Sequence, residues 1–512
     1  MQAGMNSERA RDGAWYALVV AVLGAAYAVT LLPGVGLGDT AELQTCAARL
    51  ALPHAPGYPL EVLLLAAFDR LVPFGTSAWR ASACNALWMI GAACALLALA
   101  RRLGASTAAA AGVALAFGLA LPVWRNANAV EVYALLLLLL ALAFERWLAW
   151  GEARERGEPA RARLAAALAC TALAVVHHPL SMFALPGLAL LAWSTDGWSG
   201  FARRAALLLV VGVALSAALY GWLAWRWRSP ELAYSALRLD TLERAWFQLS
   251  GGQFRGRMFG LTFEELLRER APQFLAVLGR ALAWLAPAAI AGWLLPAPRH
   301  VRAALLLGAL GPALYAATYR IDDIEAYFLP TLLLAFAAAA AALGWCERAL
   351  RAGTWLAPLA ALALAVASLC ANFAAADRRP EERDELAARA LLESVGHDAL
   401  LLWPENPQSQ LLWHLLLVEG GAERGVHVVH DRDVGALRRY VADGAPLFER
   451  HTRRWIPAGL TAYCLSDEIA RVLVARGFTL RELDAASGAA NAAALARIVA
   501  APGDPKRAAA AR

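Results

Sequence analysis

Two carboxylates, Asp39 and Glu42, stand three residues apart in Gly38-Asp39-Thr40-Ala41-Glu42-Leu43, where the first long apolar run ends. An ionised side chain facing lipid costs roughly 2.5–3.5 kcal/mol at the bilayer centre on insertion scales. Both acids are therefore expected to face water, a substrate or a partner group. A carboxylate held in a partly dry site can act as a general base, taking the proton of a hydroxyl as it attacks, typically worth about 10²–10⁴-fold. The spacing has a structural explanation too. Asp-x-x-Glu is a helix capping box, Asp39 satisfying free amides and Glu42 reaching back. The two roles are compatible if Glu42 caps while Asp39 stays free.

Four further clusters carry groups of the same kind. Pro53-His54-Ala55-Pro56-Gly57-Tyr58-Pro59 is a rigid loop: three prolines fix φ and Gly57 permits close backbone approach. His54 and Tyr58 project hydrogen-bonding groups from it. Trp124 to Tyr133 places Glu131 and Tyr133 at the start of an apolar run, a position that also suits an interfacial aromatic belt and a helix cap. His177-His178-Pro179 follows a short apolar run. Adjacent helical residues point in different directions, so the two histidines make a poor chelate, and a buried histidine bonded to a neighbour is the expected role. Tyr319 to Pro330 sets Arg320, Asp322, Asp323 and Glu325 at a helix start. The Asp322-Asp323 pair has the chemistry to hold a divalent cation, and three acids there also complement a helix dipole.

These residues must be positioned by a membrane bundle. Of 512 residues, 60% are hydrophobic and 17% charged, against about 25% charged in a soluble domain. Apolar runs at 14–33, 79–100, 105–122, 130–150, 162–177, 180–194, 203–225, 274–296, 303–319, 326–345 and 354–373 predict an all-α polytopic bundle of about eleven spans. The pair 162–177 and 180–194 is short, as tilted or re-entrant segments are. Residues 1–13 are a polar N-terminus, and the first run reads as a retained span. Arg101, Arg102, the stretch Arg154 to Arg163, Arg203, Arg204, Arg299, Arg302, Arg348 and Arg351 fall in alternate loops, which marks those loops and the N-terminus as cytoplasmic. Loops 34–78, 123–130, 226–273 and 320–325 then lie outside, with all the clusters above. The positive charges behind the net +6 sit in the short cytoplasmic loops, where orientation requires them, and no nucleic-acid partner is expected. The arginine and alanine excess points to a GC-rich bacterial genome and hence to a bacterial cytoplasmic membrane. Seven scattered cysteines without a CxxC pair indicate neither a zinc site nor a disulfide framework.

Residues 374–485 change character. Strand-like 399–403, 426–429 and 461–465 alternate with helical 408–418, 433–442 and 467–476, predicting a small extracytoplasmic α/β domain with a partly parallel sheet. Residues 486–512 read as a polar, Ala-rich tail. No Gly-rich phosphate loop is present, so nucleotide binding is not expected.

Taken in order, Gly-Asp-x-x-Glu-Leu, Pro-His-x-Pro-Gly-Tyr-Pro-Leu, Glu-Val-Tyr-Ala-Leu, His-His-Pro and Asp-x-x-x-Tyr-Phe-Leu-Pro resemble one branch of the GT-C superfamily of membrane glycosyltransferases. That branch was long catalogued as a membrane domain of unknown function, and its vertebrate member is a transmembrane protein O-mannosyltransferase. The resemblance covers about 34–190 and 319–330, with a looser echo at Leu402 to Asn406. Thr40 and Ala55 depart from it, where a small residue such as serine and a proline are usual. It implies a GT-C-like fold and transfer of a sugar from a polyprenyl-phosphate donor to an acceptor on the outer face, the acceptor being a protein, lipid or glycan hydroxyl. It assigns the catalytic centre to Asp39 with Glu42 beside it, and the donor or acceptor cleft to His54 and Tyr58. Glu131, Tyr133, His178 and Asp323 match further motif positions. A leaving phosphate needs cations, for which Arg80, Arg125, Arg226, Arg228 and above all Arg320 are the outer-side candidates. A single carboxylate base implies inversion at the sugar carbon. No cofactor is required by the motifs, although a divalent cation is compatible with them. The competing functions are a transporter or flippase for lipid-linked sugars, and a non-catalytic scaffold. A transporter should show internal repeats and midplane ionisable groups, and neither is evident.

Overall fold

The computed structural model describes residues 2–294, 298–321, 323–349, 356–402, 406–430, 434–464, 467–475, 477–482 and 496–500. Asp322 and the stretch Trp403 to Glu405 lie outside them. The chain begins with α1 (Gln2–Thr30), two short helices α2 (Asp39–Arg49) and α3 (Pro59–Leu71), and α4 (Ser77–Arg102). Next come α5 (Thr107–Gly118), α6 (Leu121–Ala127), α7 (Tyr133–Glu155), α8 (Arg161–His177) and α9 (Leu185–Arg228). A loop with α10 (Leu242–Leu249) and the one-turn α11 (Phe263–Glu265) leads to α12 (Ala271–Leu282), α13 (Ala286–Leu294), α14 (Arg299–Thr318), α15 (Leu329–Ala349) and α16 (Leu356–Ala376).

Among the described residues the eleven apolar runs fall on helical segments, but not one helix to each run: 105–122 and 274–296 each extend over two helices. Among the described residues, six helices are long and apolar enough to cross a membrane, or up to eight if each bent pair is one span. The bent pairs are α5 with α6 (70°) and the segment of α12 with α13 (99°). Two expected spans, 180–194 and 203–225, form the arms of α9, broken at Gly197 where φ is 65°. The short run 162–177 is the 17-residue α8. The helices approach closely because small residues face one another. A Cβ on Gly187 of α9 would stand 2.3 Å from the Ala304 carbonyl oxygen of α14. Large rings fill the remaining space: Trp124, Phe117, Phe144, Phe328 and Phe336 are fully buried. At the bundle end remote from α2, Arg102 closes α4 and pairs with Glu145 (2.5 Å) and Glu152 (2.8 Å) of α7.

The C-terminal region is a small α/β unit of α17 (Glu382–Val395), α18 (Asn406–Leu417), α19 (Val434–Asp443), α20 (Asp467–Ala475) and seven strands. β1 (Ala399–Leu402), β2 (His427–Val429) and β5 (Thr461–Cys464) pair in parallel, Leu400 opposite His427 and Ala399 opposite Thr461. β3 (Leu447–Glu449) and β4 (Arg454–Ile456) form a separate hairpin. β6 (Thr479–Glu482) and β7 (Ala496–Ala500) complete the sheet in the order β2-β1-β5-β7-β6, with β7 antiparallel to both neighbours. The stretch read as a polar tail therefore contributes a strand, because the backbone at 496–500 finds a pairing edge on β5. Side-chain alternation along β1 divides the cores. Leu400 and Leu402 pack with α19 residues such as Leu437 and Tyr440, whereas Ala399 and Leu401 join a cluster containing Trp413 of α18 and Ala41 and Cys46 of α2. One sheet face is thus coupled through α18 to the short helix that carries Asp39. All seven cysteines are free thiols.

Candidate active site

The backbone of α2 begins at Gly38 (φ 57°, ψ −131°), with no side chain capping the helix. The capping-box explanation of Asp39 and Glu42 does not hold. Asp39 is the first helical residue, and the Glu42 carboxylate turns toward the proline-rich loop instead. Its Oε2 accepts from the His54 amide (3.1 Å) and lies 2.5 Å from His54 Nδ1. Its Oε1 accepts from the Tyr234 hydroxyl (2.8 Å) and stands 3.4 Å from Gln410 Nε2. Competition from four donors explains why the local pattern failed: a buried carboxylate takes the strongest donors available, and a single helix amide is weaker than an imidazolium.

The loop is shaped to deliver His54. Gly57 sits at φ 94°, and a Cβ there would meet Leu223 at 2.8 Å and Leu237 at 2.9 Å, so only glycine fits. Tyr58 follows at φ 36°, an uncommon left-handed conformation that costs on the order of 1–3 kcal/mol and clusters at functional sites. His54 Nε2 then points at Asp39 Oδ2, 3.7 Å away. The ring is thus set between two carboxylates. Burial would lower its pKa, but the charges of Asp39 and Glu42 and the hydrogen bond to Glu42 raise it from 6.5 to about 10. His54 is an imidazolium at neutral pH. Its charge, with its two hydrogen bonds, holds the Glu42 carboxyl below its ordinary range against the opposing effect of burial.

Asp39 behaves differently. Its side chain is 57% exposed, yet protein groups surround it closely enough for desolvation to raise its pKa, with Glu42 adding to the rise and His54 opposing it. It is open to an incoming molecule and poised to accept a proton. Glu131 lies behind it, accepting from Thr40 Oγ1 at 3.4 Å. Desolvation, then the charges of Asp39 and Asp323, push Glu131 up to about 8. Two acids of one site therefore hold protons differently, the arrangement that separates donor from acceptor roles. Asp323 is exposed, and burial of its surroundings and the Asp39 charge raise its pKa, opposed by Arg125 and Arg378.

An aromatic wall extends from this cluster. Tyr58 stacks on His178 (centroids 5.6 Å, 26°), and His178 also meets Tyr133 (5.6 Å) and Tyr327 (6.3 Å). Tyr327 continues to Tyr319 at 5.2 Å. His178 Nδ1 accepts from the Leu180 amide at 3.0 Å, which puts its proton on Nε2. His177 turns the other way. Its Nε2 donates to the Val132 carbonyl (2.8 Å) and stands 3.6 Å from Glu61 Oε2. The two histidines do not chelate.

The structure thus brings together Asp39, Glu42, His54, Tyr58, Glu131, Tyr133, His178 and Asp323. Arg320 does not join them through any described contact, since its guanidinium is bound by Glu265 (2.6 Å) and the Gly260 carbonyl. Arg226 caps the Leu50 and Arg49 carbonyls, and Arg80 pairs with Asp69. Arg378, which the sequence did not single out, acts on Glu131 and Asp323. Tyr234 and Gln410 were missed as well. Tyr234 arrives because its segment bridges to Leu52: the Leu52 amide donates to the Tyr234 carbonyl at 3.2 Å. No local pattern could have revealed a partner 192 or 368 residues away. Asp39, Glu42 and His54 offer ligand atoms within 4.8 Å of one another, and a cation among them would have to displace the His54–Glu42 hydrogen bond.

Protein O-mannosyl-transferase TMEM260 of Mus musculus is 30% identical over 167 residues, 33% of this chain and 24% of that relative, so the match spans about a quarter of its length. The crystal structure of ArnT from Cupriavidus metallidurans bound to undecaprenyl phosphate superposes with a TM-score of 0.63 at 15% identity, covering 94% of this chain and 98% of ArnT. The chain is a multi-pass membrane protein with the overall fold of ArnT and a small C-terminal α/β region, and its residues 39–199 match the family described as the Protein O-mannosyl-transferase TMEM260 N-terminal domain.

Proposed function

We propose that the protein is an integral membrane glycosyltransferase that moves a sugar from a polyprenyl-phosphate donor to an acceptor hydroxyl on the extracytoplasmic face. The observation that carries this reading is the cluster of an accessible carboxylate, Asp39, facing an imidazolium, His54, that a buried carboxylate holds in place. Donor chemistry fits the site. A lipid-linked sugar keeps its tail in the bilayer and its phosphate at headgroup depth, beside a wall of tyrosines.

In the reaction the acceptor oxygen attacks the anomeric carbon as its proton passes to Asp39. The bond from that carbon to the phosphate oxygen breaks, and the electron pair leaves with the polyprenyl phosphate. His54, whose Nε2 faces Asp39 Oδ2 at 3.7 Å, holds that carboxylate in place for the incoming hydroxyl and keeps a positive charge beside the reacting groups. Glu131, with its raised pKa, offers a hydrogen bond to a sugar or phosphate oxygen. One displacement by one base inverts the anomeric centre, and a retained anomer in the product, read from carbon–proton coupling, argues against it. The bundle end carrying α2 faces the periplasm of a bacterial cytoplasmic membrane in this reading, with the N-terminus cytoplasmic. Impermeant thiol labelling of a cysteine at position 39 tests that placement.

The deciding experiment incubates membranes with radiolabelled polyprenyl-phosphate sugars, with and without chelator, and follows which label leaves the lipid fraction. Wild type should release one label and Asp39→Asn none. Release by Asp39→Asn at the wild-type rate removes Asp39 from the chemistry.

A further inference from the structure

The C-terminal α/β unit touches the catalytic helix along one continuous face. Glu42, Thr45 and Arg49 of α2 follow one another at helical spacing, as do Gln410, His414 and Leu417 of α18. They meet in register. Gln410 Nε2 stands 3.4 Å from Glu42 Oε1, Thr45 Oγ1 is 3.1 Å from His414 Nδ1, and Arg49 Nε donates to the Leu417 carbonyl at 2.7 Å. Ahead of α2, the Val35 amide donates to Glu385 of α17 at 2.6 Å. The loop residue Tyr234 closes the group: its hydroxyl accepts from Gln410 at 3.0 Å and donates to Glu42 at 2.8 Å. Its ring stacks on His451 (5.9 Å, 8°), also from the C-terminal unit, and lies 5.2 Å from Trp413.

We infer that the C-terminal unit completes the catalytic centre: Gln410 and Tyr234 are positioning residues that fix the plane of the Glu42 carboxylate and thereby aim His54 at Asp39. The unit serves as more than a cover or a recruiting module. The donor count supports this. Glu42 is buried, and its Oε2 is taken by the His54 amide and ring. Its Oε1 has Tyr234 and Gln410 as donors, and without them one oxygen of a buried anion would be unsatisfied. Such a group swings toward water or takes up a proton, because burying it unpaired is expensive. Either response releases Nδ1 of His54, and the ring loses the anchor that sets the direction of Nε2. The protons are consistent along the chain: the Gln410 amide donates to the Tyr234 oxygen, the Tyr234 hydroxyl to Glu42, and His54 Nδ1–H to the other oxygen.

The importance of this clamp for sugar transfer rests on the function proposed above, but the clamp itself can be read without any substrate. Full-length protein labelled with ¹⁵N-histidine, in detergent micelles, should show a downfield Nδ1 proton resonance that His54→Gln removes. Tyr234→Phe deletes one oxygen and leaves the ring packing in place, and it should move or broaden that resonance, as should Gln410→Ala. Arg49→Ala breaks a contact between the same two helices without touching Glu42, and should leave the resonance where it is even if the protein melts earlier. A resonance unmoved in both Tyr234→Phe and Gln410→Ala overturns the clamp, as does its absence from the wild type. With the donor identified by label release, kcat should fall about tenfold in either variant while the donor KM stays within about twofold, the pattern of a lost transition-state interaction. An inactive Asp39→Asn beside unaltered Tyr234→Phe and Gln410→Ala sinks the clamp alone. A fully active Asp39→Asn with a displaced resonance sinks the assigned base alone.

Discussion

Replacing Glu42 with glutamine tests the electrostatic core of the site. His54 stands at about 10 against an ordinary 6.5, a preference for the charged ring of about 5 kcal/mol. Burial opposes that preference, and three acids supply it: Asp39 by its charge, Glu42 by both charge and a 2.5 Å hydrogen bond, and Glu131 by a smaller charge effect. Asp39 acts from 3.7 Å through a more open path. If Glu42 accounts for about half, Glu42→Gln removes about 2–3 kcal/mol and brings the deprotonation of His54 down by about two pH units. The acid limb of the rate reports Asp39, whose raised pKa places it above 3.8. The alkaline limb reports His54. The assay is sugar release from the lipid fraction between pH 5 and pH 10. Wild type should hold its neutral rate at pH 9, and Glu42→Gln should drop about tenfold there relative to its own neutral rate. The sign for folding agrees. A histidine with a raised folded pKa stabilises fully below 6.5, and that contribution is lost as pH climbs through about 10, so the variant should show a flatter stability profile over that window. An alkaline limb that stays within roughly half a pH unit of wild type would refute the reasoning, since His54 would then owe its charge to something else.

Other changes separate chemistry from framework. Asp39→Asn should cost about 10²–10⁴-fold in rate in a protein that still folds and inserts, because its side chain is 57% exposed and caps nothing; a rate within tenfold of wild type would count against Asp39 as the base. Gly57→Ala should destabilise by about 1–3 kcal/mol in thermal unfolding, since a Cβ is strained at φ 94° and would collide with Leu223 and Leu237; an unchanged transition would mean the loop does not hold this conformation. Glu61 is fully buried with neither oxygen hydrogen-bonded, and burial drives its pKa well above 4.5. Its folded form therefore keeps a proton that the unfolded chain gives up, so wild type should lose stability as pH rises above 4.5. Glu61→Gln should match wild type in acid and be the more stable at neutral pH, and a parallel decline of the two curves would count against a protonated Glu61.

Much of this architecture could be read along the chain because a membrane span is a local property. A helix in lipid satisfies its own backbone, so apolar length alone locates it. The alternation of strands and helices after residue 380 was equally local, and β1, β2 and β5 with α18, α19 and α20 lie where it placed them. β7 escaped notice because its short Ile498-Val499 core is set in Ala-rich flanks and gains its pairing edges only from β5 and β6. The site divides in the same way. Asp39, Glu42, His54 and Tyr58 belong to one short segment whose rigid loop folds back on its own helix, and their spacing showed it. Charge alone could not rank the arginines. Arg320, Arg226 and Arg80 stood on the expected side, yet each is taken up by a nearby carboxylate or carbonyl, whereas Arg125, also on that side, and Arg378, itself paired with Glu381, are the arginines whose charge reaches Asp323. Asp-x-x-Glu misled for a related reason: helix capping is the role of that spacing when no stronger donor is near, and His54 is such a donor.

Strand β7 lies between β5 and β6. Among the described residues, β6 has no other partner, so the sheet cannot close during biosynthesis until 496–500 have left the ribosome. Asp39 and Glu42 emerge well before the unit that reaches Glu42 through Gln410. A newly inserted bundle would hold its acids without the residues that brace them until that later segment follows. Competence would then arrive late, as a by-product of chain order.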